Sequence, residues 1–217
     1  MVALAWAVIC AASLRVAYPS ANEPPLLKYL GVEGIADERG FYVDASDKRN
    51  PVTVQDYHRW WGAEQGQALR RAADRKERSL QFFRSPVAVP LSADIPARAG
   101  ATFPAVGMYG FAAGRDAYVG EIFGLGDPLS ARLRLSTRTR PGHEKVLEPA
   151  WFAARLGADD ASVPPKLYRS RVSASRPSVG SMSTLAKLLS AVQGELTMGR
   201  ALSNLFMSWK LTRLRFQ

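Results

Sequence analysis

Two short stretches gather side chains able to recognise a polar ligand: Gly124-Leu125-Gly126-Asp127-Pro128-Leu129-Ser130-Ala131-Arg132 and, soon after, Arg140-Pro141-Gly142-His143-Glu144-Lys145. A Pro-Gly turn projects the next three side chains together. His143, Glu144 and Lys145 then offer a donor, an acceptor and a cation to a sugar hydroxyl or a phosphate. Strands that end side by side place their following turns at one edge of a sheet, where ligands commonly bind. In one such corner Asp127 and Glu144 accept from hydroxyls, while Arg132, Arg140, His143 and Lys145 donate to hydroxyls or a phosphate. The plainer alternative is that Glu144 pairs with Arg140 or Lys145 only to hold a loop. Trp60-Trp61 is a second candidate, because indole faces stack on the C–H faces of sugars. Its plainer reading is Trp61 in the core and Trp60 over a loop.

These residues bind rather than catalyse. The chain has no Gly-x-Ser-x-Gly elbow, no P-loop, no Gly-x-Gly-x-x-Gly and no His-Glu-x-x-His, and its only histidines are His58 and His143. The sole cysteine, Cys10, excludes an intrachain disulfide and a cysteine-based zinc site. No catalytic residue, metal or cofactor is therefore expected in this chain alone.

The elements that must position the two turns are strands mixed with short helices. Gly34 to Val43 reads as a turn entering a strand. Thr53, with Asp56 three residues on, reads as the capping box of a helix running to about Arg78. Pro86 to Leu91 is a strand whose prolines place it at a sheet edge. Phe103–Phe111 and Ala117–Phe123 read as stronger strands joined by a hairpin loop at residues 112–116. Leu129–Leu135 and Trp151–Leu156 read as short helices. The fold class is thus α/β or α+β, a mixed sheet with flanking short helices.

The apolar strand ending in Gly-Leu-x-Asp-Pro, the Ala-Arg pair and the Arg-Pro-Gly-His-Glu-Lys turn resemble the C-terminal extracytoplasmic domain of polyprenyl-phosphate-sugar-dependent membrane glycosyltransferases. Within them the chain is most similar to the terminal arabinofuranosyltransferases that build cell-wall arabinogalactan. The resemblance runs from about Gly34 to Leu156. It implies an accessory or acceptor-side domain that binds a cell-wall glycan. A polyprenyl-phosphate sugar donor is implied only where the domain is joined to a catalytic membrane half. The family usually carries Asp where this chain has Glu121, so the resemblance adds Glu121 to the substrate-binding candidates.

Charge and hydropathy frame this domain at both ends. The chain has 217 residues and a net charge of +10. From Val163 to Gln217 there are nine basic residues and one acidic, Glu195, so +8 of that charge lies in the tail. At the other end, Val2 to Leu14 contains only Ser13 as a polar side chain. As a helix, Val2 to Tyr18 would reach ~26 Å, short of a ~30 Å hydrocarbon core. The segment is expected to be a partial transmembrane helix over 1–18, anchored at the interface by Arg15 and Tyr18. The domain at 19–162 is expected to face outward from the cell membrane. A Pro-, Ser- and Arg-rich linker over 163–180 then leads to a basic amphipathic helix over 181–217. That helix either lies on an anionic bilayer or docks back onto the domain. Two other classes stay open: a basic nucleic-acid-binding protein and a purely structural membrane-associated one. Nucleic acid is disfavoured, because the cations sit on a linker and beside an apolar stripe rather than over a folded surface.

Overall fold

The computed structural model describes residues 4–10, 37–58, 60–136, 142–158, 163 and 184–216. Its contacts divide the chain into two compact units, Met1–Trp60 and Trp61–Gln217.

In the first unit, residues 4–10 form helix α1 with Leu4, Trp6, Val8 and Ile9 exposed. No helix among the described residues is long and apolar enough to cross a membrane. Helix α2 spans Glu38–Ser46, where a strand was expected. The Asp37 carboxylate caps it by accepting from the Gly40 amide at 2.9 Å, and Asp47 closes it in the left-handed region. A one-turn 3-10 helix, Val54–Tyr57, follows. The expected capping residues are in place: Asp56 Oδ2 accepts from the Val52 and Thr53 amides at 3.0 and 2.8 Å and from Thr53 Oγ1 at 3.0 Å. Those bonds, the Thr53 amide first, hold the Asp56 carboxyl below its ordinary range. Tyr42 meets Phe41, Tyr57 and Trp60 edge-on at 5.2, 5.8 and 5.7 Å, which gives this unit an aromatic centre.

The second unit opens with helix α3, Trp61–Asp74, so the single helix expected from Thr53 to about Arg78 is instead a one-turn 3-10 helix and a separate α-helix that ends at Asp74. Strands β1 (Ser79–Gln81), β2 (Ala88–Pro90), β3 (Ala99–Phe103) and β4 (Ala117–Glu121) form one sheet in the order β2-β1-β3-β4. The proline-bounded strand β2 lies at the edge and pairs antiparallel with β1. The expected hairpin is replaced by a right of passage through helix α4, Val106–Ala113, so β3 and β4 run parallel from Ala99↔Ala117 to Phe103↔Glu121. A parallel pair needs such a crossover, whereas a tight loop can join only antiparallel strands.

Helices cover both sheet faces. On one, α3 and α4 cross so closely that a Cβ on Gly66 would lie 2.4 Å from the Tyr109 carbonyl oxygen. On the other, α5 (Pro149–Leu156) presses Phe152 to within 2.4 Å of where a Gly120 Cβ would stand. Phe152 and Leu156 join Leu80, Val89, Leu91, Leu129 and Leu147 in the main core.

The tail is two helices rather than one. Helix α6 (Thr184–Gln193) and helix α7 (Met198–Arg213) are separated at Gly194. Leu185, Leu188 and Leu211 belong to the main core, and the Trp151 and Phe216 rings meet at 4.9 Å. One face of this segment thus docks back onto the domain.

Candidate functional site

β1, β3 and β4 are parallel, so the turns that follow them emerge at one edge of the sheet. After β4, Gly124 takes φ +88°, and a Cβ there would lie 2.8 Å from the Ser130 carbonyl oxygen. Only glycine fits that bend. The residues that shape it are the two acidic candidates. Glu121 is buried; its carboxylate accepts from the Phe123 amide and from the Leu125 and Gly126 amides at 2.6 and 2.9 Å. Asp127 is also buried. Its Oδ1 accepts from the Leu129 and Ser130 amides at 2.9 and 3.2 Å.

Asp127 has a second set of partners. Arg155 Nη2 on α5 lies 2.7 Å from Asp127 Oδ2, and the Tyr118 hydroxyl lies 3.3 Å from the same oxygen. Arg155 also donates to the Tyr118 hydroxyl. Burial pushes the Tyr118 phenol up, with the Arg155 charge opposing. Burial pulls Arg155 down, but its anionic and phenolic partners outweigh that and hold it above its ordinary value. Neither Arg155 nor Tyr118 was among the candidates. A lone cation in the otherwise apolar Trp151–Leu156 helix was the available signal.

The second turn comes to the first. A Cβ on Gly142, at φ +81°, would lie 3.9 Å from the Leu125 methyls, and the His143 and Phe123 rings meet at 4.6 Å. Lys145 Nζ donates to the Ala131 carbonyl at 2.9 Å. Arg132 sits in the one-turn 3-10 helix Ser130–Arg132, where a longer helix was expected, and its Nε reaches the Leu211 carbonyl at 3.3 Å. Burial and the nearby Arg215 charge depress its pKa. Arg140 lies outside the described residues. Toward solvent this corner presents Leu125 and Val146, which are exposed, with His143, Glu144 and Lys145 half-buried.

The two tryptophans part company. Trp60 is buried in the first unit. Trp61 starts α3 in the second, remains 43% exposed, and lies against Phe83 and Phe103 at 5.9 and 5.1 Å. Its indole therefore stands at the carboxyl edge, beside the segment that follows β1. Among the described residues no group of His, Cys, Asp and Glu is arranged to hold a metal. Two inward carboxylates fix the turns, Leu125 and Val146 are exposed beside them, and the Lys145 and Arg132 cations reach backbone carbonyls.

A terminal beta-(1->2)-arabinofuranosyltransferase of Mycobacterium tuberculosis (strain ATCC 25618 / H37Rv) is 28% identical over 203 residues, covering 84% of this chain and 31% of that protein. The chain thus spans about a third of the relative's length. No solved structure matches it. The C-terminal domain of the AftB family matches residues 52–216, which take in both turns and the whole sheet, and the chain accordingly belongs to the AftB family.

Proposed function

We propose that this chain is the outward-facing, acceptor-side domain of an arabinofuranosyltransferase-like membrane glycosyltransferase of cell-wall synthesis, and that it holds a glycan while catalysis resides elsewhere. The observation that carries this reading is the meeting of the two turns, with the His143 ring against Phe123 and Lys145 tied to Ala131. A sugar presents a C–H face and a fringe of hydroxyls. The corner supplies the matching surfaces: exposed Leu125 and Val146 for the first, and His143, Glu144 and Lys145 for the second. Glu121 and Asp127 act from behind by setting the turn, and Trp61 adds an indole along the same edge. The family membership and the arabinofuranosyl relative point to an arabinan as the glycan. A membrane location follows from the same reading, and the exposed apolar stripe of α7 beside the basic tail supports it.

The test is a titration of the full chain with a synthetic arabinofuranosyl oligosaccharide, followed by backbone chemical shifts. Saturable shifts at residues 123–126 and 142–146 are expected. Absence of shifts along this whole sheet edge, together with binding to a short DNA duplex, would favour the basic nucleic-acid reading instead.

A further inference from the structure

The same edge carries a second feature, at the other end from the β4 corner. Helices α3 and α4 pack over β3 and β4, and among the described residues neither packs comparably on β1 or β2. The result is a cleft of about 490 Å3 between α3, α4 and the β1–β2 loop. That volume falls in the range of small-ligand sites. Its one charged lining residue is Arg84, which holds a left-handed backbone (φ +56°) with its guanidinium 5.1 Å from the Phe83 ring centre. A non-glycine residue in that region carries a conformational cost, and such positions recur at binding sites.

The decisive residue is Tyr109, which lines this cleft from α4. It is only 4% exposed, and its ring stacks on Phe103 at 4.0 Å. Its hydroxyl has no hydrogen-bond partner among the described residues, and burial alone pushes the phenol up to about 12. The hydroxyl oxygen is not itself enclosed, so it takes its hydrogen-bond partner from open space. Here the space that can supply one is the cleft. Around it stand Gln65 and Gln81, with exposed amides that both donate and accept, and Ser85, whose Oγ accepts from the Val87 amide at 3.1 Å and keeps its own proton to give.

We propose that this cleft is a subsite for one neutral sugar ring, with Tyr109, Gln65, Gln81 and Ser85 meeting its hydroxyls. A neutral, polyhydroxylated ligand fits the mixture of uncharged donors and acceptors. A phosphorylated or carboxylated ligand would require more than one cation. The inference rests on the glycan reading above and extends it, since the cleft and the β4 corner lie along one sheet edge and could hold successive residues of one chain.

The experiment compares Tyr109→Phe with the full chain by titrating an arabinofuranosyl oligosaccharide. The substitution removes one oxygen, keeps the ring stack and breaks no internal hydrogen bond, so the thermal midpoint should be unchanged or higher. Affinity should fall roughly tenfold, the effect of one lost hydrogen bond. Shifts at residues 83–85 and 109 should appear in the parent and shrink in the variant. Unchanged affinity in Tyr109→Phe, with the shifts confined to 123–126 and 142–146, overturns the subsite and leaves the glycan reading standing. Shifts at 83–85 and 109 without any at the β4 corner support the subsite and remove the corner. No binding at either place overturns both.

Discussion

Arg155 and Asp127 form a fully enclosed ion pair, Nη2 to Oδ2 2.7 Å, with side chains 6% and 2% exposed. It joins helix α5 to the turn after β4, so a buried ion pair helps to place the candidate corner. Such a pair adds little over apolar packing, but removing one member strands a buried charge. Asp127→Ala should therefore destabilise the chain by ~3–5 kcal/mol in urea unfolding. The double variant Asp127→Leu, Arg155→Leu should recover part of that loss. An Asp127→Ala midpoint equal to the parent's would mean the carboxylate is not structural and belongs among ligand-facing groups.

Glu121 sets the same turn by another device, three backbone amides converging on one carboxylate. Glu121→Gln exchanges one accepting oxygen for an NH2 that must face an amide N–H. The expected cost is ~1–3 kcal/mol, read as a lower thermal midpoint. Glu121→Asp keeps the charge but shortens the reach by a methylene. It should fall between the parent and Gln. A Gln variant as stable as the parent would show that charge and acceptor count at this turn are dispensable.

Some of this was legible in the sequence and some was not, for physical reasons. The prolines of the β2 segment are a local signal whose meaning survives folding, and Thr53 with Asp56 does form a capping box, although it closes a one-turn 3-10 helix rather than the long helix expected. Val106–Ala113 misled because it is apolar along its whole length: a helix packed between α3 and the sheet loses the 3.6-residue period that tells it from a strand. The expected hairpin failed with it. The acidic candidates were found by position, but their inward role depended on Arg155 and on turn amides that no spacing reveals. Tyr109 and the cleft arise from which strands the helices pack on, a property of the assembled layers.

Alkaline pH should weaken the fold through two phenols. Burial raises Tyr109 to about 12 and raises Tyr118 in the same direction. A raised phenol means the folded chain holds its proton more tightly than the unfolded chain. Stability is then fully present below the unfolded value of about 10 and declines as pH rises through 10 toward the folded value. For Tyr109 the loss is on the order of 3 kcal/mol when the interval is crossed. Urea midpoints at several pH values from 8 upward should fall, and Tyr109→Phe should fall less steeply. Equal slopes in the two chains would show that this phenol is not held protonated by the fold.

Helix α7 shows two apolar faces, which is one more than a docked helix needs. Leu211, with Met207, packs inward, whereas Leu202, Leu205, Phe206 and Trp209 lie together on the opposite side, with Phe206 82% and Trp209 68% exposed. Lys210, Arg213 and Arg215 flank them, and the Arg213 guanidinium lies 3.5 Å from the centre of the Trp209 ring. An apolar stripe edged with cations matches an anionic bilayer surface, where each cation near the headgroups contributes ~1 kcal/mol. Deleting residues 181–217 would be a poor test, since Leu185, Leu188 and Leu211 are core and their loss would unfold the domain. Phe206→Asp with Trp209→Asp changes only the outer face. Vesicles containing phosphatidylserine should sediment the parent chain, less so at high salt, and purely zwitterionic vesicles should sediment it weakly. Burying one large apolar side chain is worth ~1.5–3 kcal/mol, so the double variant should bind at least ~tenfold more weakly while unfolding at the parent's temperature. If the variant and the parent sediment alike on anionic vesicles, the stripe does not meet lipid and the tail's charge has another partner.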